Sequence, residues 1–208
     1  MKDQYTMSPS RKQQPLYQSP VTGIVPFRAS FKSHGSFGDH WHSEIEIFYL
    51  MPESSSITVF IEDIPYFLCE RDMLIVPSTA VHRIEATDKQ NKVLRLDIGY
   101  PLLGENFKPF SEKRFINSHY SFSKATSSPL DAIESIFHAI SREKLALSEE
   151  HQENNDLDTV ISRMHVSAYL IQIAALLLEN LPSIPSYDTD TQKRHAMLYK
   201  SPQYLYIH

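Results

Sequence analysis

The apolar residues of this chain change their period once, and that change limits the possible folds more than any other feature. Between 21 and 100, short runs at 44–51, 56–62, 64–68, 73–76, 81–85 and 92–98 mix apolar and polar residues at a spacing of two or run apolar outright. Successive side chains on a strand point to opposite faces, so each run reads as a short strand with at least one buried face. Glu62-Asp63 reads as a hairpin connection, and Pro65, which cannot donate to a ladder, marks a strand start or a sheet edge. Many short strands with no helices between them point to an antiparallel barrel or jelly roll.

After residue 128 the spacing becomes helical. Ser128-Pro129 caps and opens a helix carrying Ile133, Ile136, Phe137 and Ile140 on one stripe. Asn155 or Asp156 caps a longer helix that Pro182 stops. Its stripe is Leu157, Val160, Ile161, Met164, Ala168, Ile171, Ala175 and Leu178, widened by Tyr169, Ile173, Leu176 and Leu177. One face packs on the preceding helix or the barrel and the remainder is left for a partner, so the helices in 130–181 are expected to form a homodimer contact. The predicted organisation is a mobile arm at 1–20, a β-barrel at 21–125, a helical segment at 126–182 and a linker at 183–208. The fold class is α+β.

Chemistry gathers at one place. On an extended strand His40, His42, Glu44 and Glu46 share a face, and Ile45, Ile47 and Tyr49 take the other. His82 follows beyond Pro77, so neighbouring strands of a small barrel can aim three imidazoles and a carboxylate at one interior point. Those donors suit a divalent metal. They equally suit hydrogen bonds to a polar small molecule in a cavity, or a structural role in which the histidines satisfy one another and the backbone. Trp41 should face away from the histidines, packing outside the barrel or under the arm, and Phe48 and Tyr66 are core or wall residues. No nucleophile stands out: Cys69 lies beside Glu70, and the chain has 5 glycines and no phosphate-binding loop.

The segment from His40 to Glu85 resembles the two-motif core of the cupin superfamily. His40, His42 and Glu46 match its first motif, Pro77 and His82 its second. Three glycines of that pattern are replaced: Arg71 stands before Asp72, Thr79 follows Pro77, and Glu53 lies near the close of the first motif. Residues 40–51 with 71–84, followed by helices, further resemble the sensing domain of AraC-type transcription regulators, and 197–208 resembles the entry to their helix-turn-helix domain. The resemblance implies a cupin-like antiparallel β-barrel (jelly roll), a helical dimerisation segment, and DNA contact only through a further C-terminal domain that this chain stops short of. It implies a small-molecule effector, a sugar above all, bound by Arg28, His40, His42, Glu46 and His82 without catalysis. Regulators of this kind often keep the histidines without metal. In the alternative the same four cluster residues hold a divalent metal in a cupin enzyme, an isomerase or a dioxygenase.

Composition sets the outer limits. A net charge of −5 gives no basic face to neutralise phosphates, so this chain alone should not hold duplex DNA tightly. One cysteine forbids an internal disulfide and fits a reducing cytosol. The N-terminus lacks the apolar run of a signal peptide. The longest apolar stretch, 168–178, is shorter than a membrane span and contains Gln172, so a cytoplasmic protein without membrane contact is expected.

Overall fold

The computed structural model of this 208-residue chain describes residues 15–18, 27–33, 36–86, 91–116, 118–124, 128–143 and 156–185. The alternating runs form strands close to where the pattern puts them: β1 (Leu16–Tyr17), β2 (Arg28–Ser33), β3 (Phe37–Trp41), β4 (Ile45–Leu50), β5 (Ser56–Ile61), β6 (Ile64–Cys69), β7 (Asp72–Val76), β8 (His82–Glu85) and β9 (Lys92–Ile98). Three short strands follow that the pattern does not reveal, β10 (Lys113–Phe115), β11 (His119–Ser121) and β12 (Ser183–Pro185). The helices are α1 (Tyr100–Leu103), α2 (Phe107–Ser111), α3 (Asp131–Ile140) and α4 (Leu157–Asn180).

Two five-stranded sheets result, in the orders β1-β3-β8-β5-β6 and β11-β7-β4-β9-β2, with β10 and β12 forming a separate pair. Every pairing is antiparallel except that of β1 with β3. Between the sheets lies an apolar core of Phe48, Leu50, Ile57, Val59, Leu68, Leu74, Val76, Ile84 and Val93. The outer face of the second sheet carries Ile47, Tyr49, Met73, Ile75 and Leu96, and these pack on Ile133, Phe137, Leu170 and Leu177 of α3 and α4. Strands β4, β7 and β9 are therefore buried on both faces, which explains why their sequences run apolar where a half-buried strand would alternate. The product is an α+β fold, a cupin-like antiparallel jelly roll with helices on one side.

The glycine replacements prove informative. Glu53, Arg71 and Thr79 adopt φ of 66°, 62° and 64°, so the backbone keeps the left-handed turn that glycine favours while the residues are not glycines. At the start of α3, Ser128 Oγ accepts from the Leu130 N–H and Asp131 accepts from the Ser128 N–H, a reciprocal cap placed as expected although the helix proper begins at Asp131. Asp156 caps α4 through the Thr159 N–H at 2.9 Å.

Several expectations require correction. His40, His42 and Glu46 do not share one strand. The chain leaves the first sheet after Trp41, bends at 43–44 and enters the second as β4, so His40 and Glu46 belong to opposite sheets. Within the expected arm, Leu16–Tyr17 form a strand paired beside His40 and Trp41; residues 1–14, 19 and 20 lie outside the described residues. On α4 the inward face is Thr159, Ser162, Arg163, Val166, Leu170, Ile173, Ala174 and Leu177, while Leu157, Ile161, Met164, Ile171 and Leu178 point outward. With apolar groups on two opposite sides, α4 is also long and apolar enough to cross a membrane by length and composition, which the sequence pattern did not suggest. Its packed inward face is what a core helix shows as well.

Candidate metal centre

His40 ends up deep inside because β3 pairs with β8, which sets it directly opposite His82. His42 sits on the corner between the sheets, where its carbonyl accepts from the Thr79 N–H at 2.9 Å, tying the corner to the turn that leads into β8. Glu46 enters from β4 on the inward face. All four side chains are buried, at 2, 3, 0 and 1% exposure for His40, His42, Glu46 and His82. One donor atom from each lies within 4.8 Å of every other.

Hydrogen bonding fixes which nitrogens face inward. His40 Nδ1 lies 3.0 Å from the Gly38 carbonyl, His82 Nδ1 3.0 Å from that of Ala80, and His42 Nδ1 3.3 Å from that of Glu44. A carbonyl oxygen only accepts, so each Nδ1 carries a hydrogen; on His40, which burial keeps neutral, Nε2 turns a lone pair inward, whereas on His42 the bond to the Glu46 carboxylate makes Nε2 a donor too, whose proton a cation would replace. His42 Nε2 meets Glu46 Oε2 at 3.1 Å, and His82 Nε2 reaches the same oxygen at 2.8 Å. Nε2 of His40 is buried without a hydrogen bond, and so is that of His82, which, with its hydrogen on Nδ1, faces the Glu46 oxygen lone pair to lone pair. Leaving such atoms unpaired is costly, and a cation supplies the missing partner. The residues thus fit a divalent ion: three imidazole lone pairs, one carboxylate oxygen, and backbone carbonyls orienting the rings from behind.

The charges around this point are balanced by a chain of ion pairs. Glu46 Oε1 is paired with the Arg95 guanidinium, which also grips Asp97 at 3.1 and 3.2 Å; Arg28 reaches Asp97 at 3.2 Å. Burial pushes the Glu46 carboxyl up, but Arg95, His42 and His82 outweigh it and hold the group well below the usual carboxylate range. Burial, with the neighbouring His82, drops His40 to about 4, keeping it neutral and able to donate a lone pair near pH 7. Burial also disfavours charge on His42, yet its bond to Glu46 and the charges of Glu46, Asp97 and Glu44 raise it overall. Asp97 is raised chiefly by burial, against the pull of Arg95.

The structure brings together His40, His42, Glu46 and His82, and it sets Arg28 apart. Arg28 joins the cluster only through Asp97 and Arg95. Sequence reasoning did not single out Arg95 or Asp97; their two-residue spacing on β9 was visible, but an Arg-Leu-Asp in an apolar strand reads equally well as surface alternation. Trp41 lies under the arm as expected, its ring 4.6 Å from Tyr17. Phe48 is core, Tyr66 packs at the core's edge, and Cys69 is exposed.

No family model matches the chain, and no curated protein does. Solved structures similar to part of the chain include a cupin-2 domain protein from Shewanella frigidimarina (19% identity, 36% of this chain and 72% of that one, TM-score 0.31). Others are a cupin superfamily protein from Desulfitobacterium hafniense (15%, 38% and 72%, 0.33) and a cupin 2 conserved barrel domain protein from Salinispora arenicola (20%, 37% and 66%, 0.31). Over somewhat more than a third of its length the chain is similar to these cupin-domain proteins.

Proposed function

We propose that this chain is a sensing and dimerisation domain of the AraC type whose barrel holds a divalent cation on His40, His42, Glu46 and His82, and that the loaded barrel binds a small polar metabolite. The observation that carries the reading is the convergence of three Nε2 atoms on Glu46, two of them buried without a hydrogen bond. When bound, the ion supplies a Lewis-acidic point at which a polar ligand can attach. The chain's own residues orient the donors, exclude water and keep Glu46 charged through Arg95.

The regulatory part of the reading rests on what surrounds the barrel. The segment Leu16–Gln18 lies against the strand that carries His40: Gln18 N–H donates to the Trp41 carbonyl at 2.9 Å, and Gln18 Oε1 accepts from Arg95 at 3.4 Å. A ligand that changes the contacts of Arg95 has a route to the segment that covers it, provided it binds the covered and uncovered states with different affinity. Helix α4 exposes a seam of Leu157, Ile161, Met164, Ala168, Ile171, Ala175 and Leu178 whose steps of four and three residues match a coiled-coil repeat. A second copy of this chain is the occupant proposed for it. DNA would be contacted by a further domain, in the cytoplasm, and the role is sensing rather than catalysis.

The same donors favour a second reading, a metal-dependent isomerase or dioxygenase, for which the outward seam of α4 is surplus. Calorimetric titration of chelator-treated protein with Zn²⁺ tests the shared premise. One ion per chain is expected, weakened at least tenfold in His82→Ala; no uptake by the unaltered protein sinks both readings. Sedimentation then separates them, a dimer at micromolar concentration supporting the sensor and a monomer the enzyme.

A further inference from the structure

Strand register places a second set of polar groups beside the metal centre. Arg28, Asp97 and Glu46 stand opposite one another across β2, β9 and β4, and Ser30, Arg95 and Phe48 form the next row. Directly opposed residues on antiparallel strands share a face, and Phe48 fixes this one as the barrel interior. Ser30 is 7% exposed and its hydroxyl has no hydrogen-bond partner, whereas the side chain of Arg28, at 31%, reaches solvent at the edge strand. A donor buried without a partner therefore sits two residues along β2 from a guanidinium that an incoming molecule can reach.

Charge decides what such a molecule must be. Among the described residues the buried interior around Glu46 holds the cation Arg95 against the carboxylates Glu44, Glu46 and Asp97, a formal −2 with neutral imidazoles, while the part-exposed Arg28 stands at its edge. A divalent ion neutralises that, so an anion arriving at the Arg28 guanidinium no longer meets a negative interior. The guanidinium of Arg28 is then the positive charge in excess, so a ligand it holds is favoured by one negative charge of its own, and a neutral sugar brings none. One carboxylate group seated at Arg28 closes the balance, a second on the same molecule, as in succinate, staying in solvent, while phosphate concentrates up to two charges near neutral pH on the one group that enters. A carboxylate also matches the planar fork of a guanidinium.

We infer that the metal-loaded barrel takes a small carboxylate ligand, held by Arg28 and Ser30 and dependent on the bound cation. The inference rests on the proposed metal centre and narrows its ligand from polar metabolites in general, sugars included, to organic acids.

The test uses the full chain, stripped with chelator, reloaded with Zn²⁺ and titrated calorimetrically with succinate, inorganic phosphate and glucose, with zinc content measured on the same samples. Succinate should bind saturably, weaken about tenfold or more without zinc, and weaken by a similar factor in Arg28→Met; Ser30→Ala, which removes one hydroxyl, should lose roughly three- to tenfold. Both variants are checked by thermal melting, and the serine variant stands in if Arg28→Met fails to fold. Equal succinate binding with and without zinc, tighter binding of glucose or phosphate, or affinity unchanged in both variants overturns the inference. If the chain takes up no zinc, the metal reading fails separately: succinate binding to the metal-free chain that Arg28→Met abolishes would retain the acid subsite, and no binding would remove that too.

Discussion

Individual residues carry the clearest record of how this barrel departs from the pattern it resembles. A non-glycine side chain in the left-handed region costs roughly 1–2 kcal/mol, and a β-branched one fits there worst. Thr79 has φ of 64° and, in addition, a buried hydroxyl without a partner. Thr79→Gly should therefore raise stability, by about 1 kcal/mol after allowing for the greater freedom of glycine in the unfolded chain, as read from urea midpoints. A loss of stability would show that Thr79 makes a contact outweighing its strain. Histidine titration gives a second residue-scale prediction, for the metal-free protein. His40 is held at about 4 in the fold against an unfolded value near 6.5, so the unfolded chain binds this proton first. Its contribution is complete above pH 6.5 and is lost as pH falls toward 4, about 3 kcal/mol in all. His42, shifted upward, acts in the opposite sense, stabilising below pH 6.5 and losing that as pH rises through its folded value. Melting of chelator-treated wild type and His40→Gln between pH 7 and 4.5 checks this, the variant losing less stability on acidification. The four cluster residues were legible in the sequence because donor type and spacing survive in one dimension. Arg95 and Asp97 were not, because an ion pair that closes across strands leaves no local signature.

At the scale of elements, β4 joins the site to the helices. It presents Glu46 inward and Tyr49 outward, where Tyr49 Oη donates to Glu134 of α3 at 2.8 Å and its ring stacks on Phe137 at 4.6 Å. Arg71, in its left-handed turn, forks the same carboxylate at 2.8 and 2.8 Å. The side chain found where the resembled pattern has glycine thus clamps the barrel to the helix, which gives its strained backbone a structural reason. Tyr49→Phe keeps the stack and removes one hydrogen bond to a charged acceptor, so chemical denaturation should register a loss of about 1.5–3 kcal/mol; no change would mean that Glu134 is fully satisfied by Arg71. Most strands could be read from the alternation, since burying one face imposes a period of two. The inward face of α4 could not: with apolar residues on both sides, the stripe at 157, 161, 164, 168, 171, 175 and 178 looks like the core when it is the outer seam. Strands β10, β11 and β12, each three residues of ordinary composition, are set by tertiary pairing alone.

For the whole molecule, the account joins a buried donor cluster, a strand that covers it, and a helical seam for a second copy. Met164→Glu placed in that seam, on a side chain 65% exposed, should leave the fold intact and shift sedimentation from dimer to monomer. An unchanged dimer would move the interface elsewhere. All of this depends on three imidazoles presenting Nε2 to Glu46, and two-bond ¹H–¹⁵N correlation of the histidine side chains at pH 8 reads that arrangement most directly. The metal-free protein should show His40 and His82 as Nδ1–H tautomers, and Zn²⁺ should shift the Nε2 resonances of His40, His42 and His82 together at one equivalent. Nε2–H tautomers at His40 and His82, or imidazole resonances that ignore the metal, would contradict it.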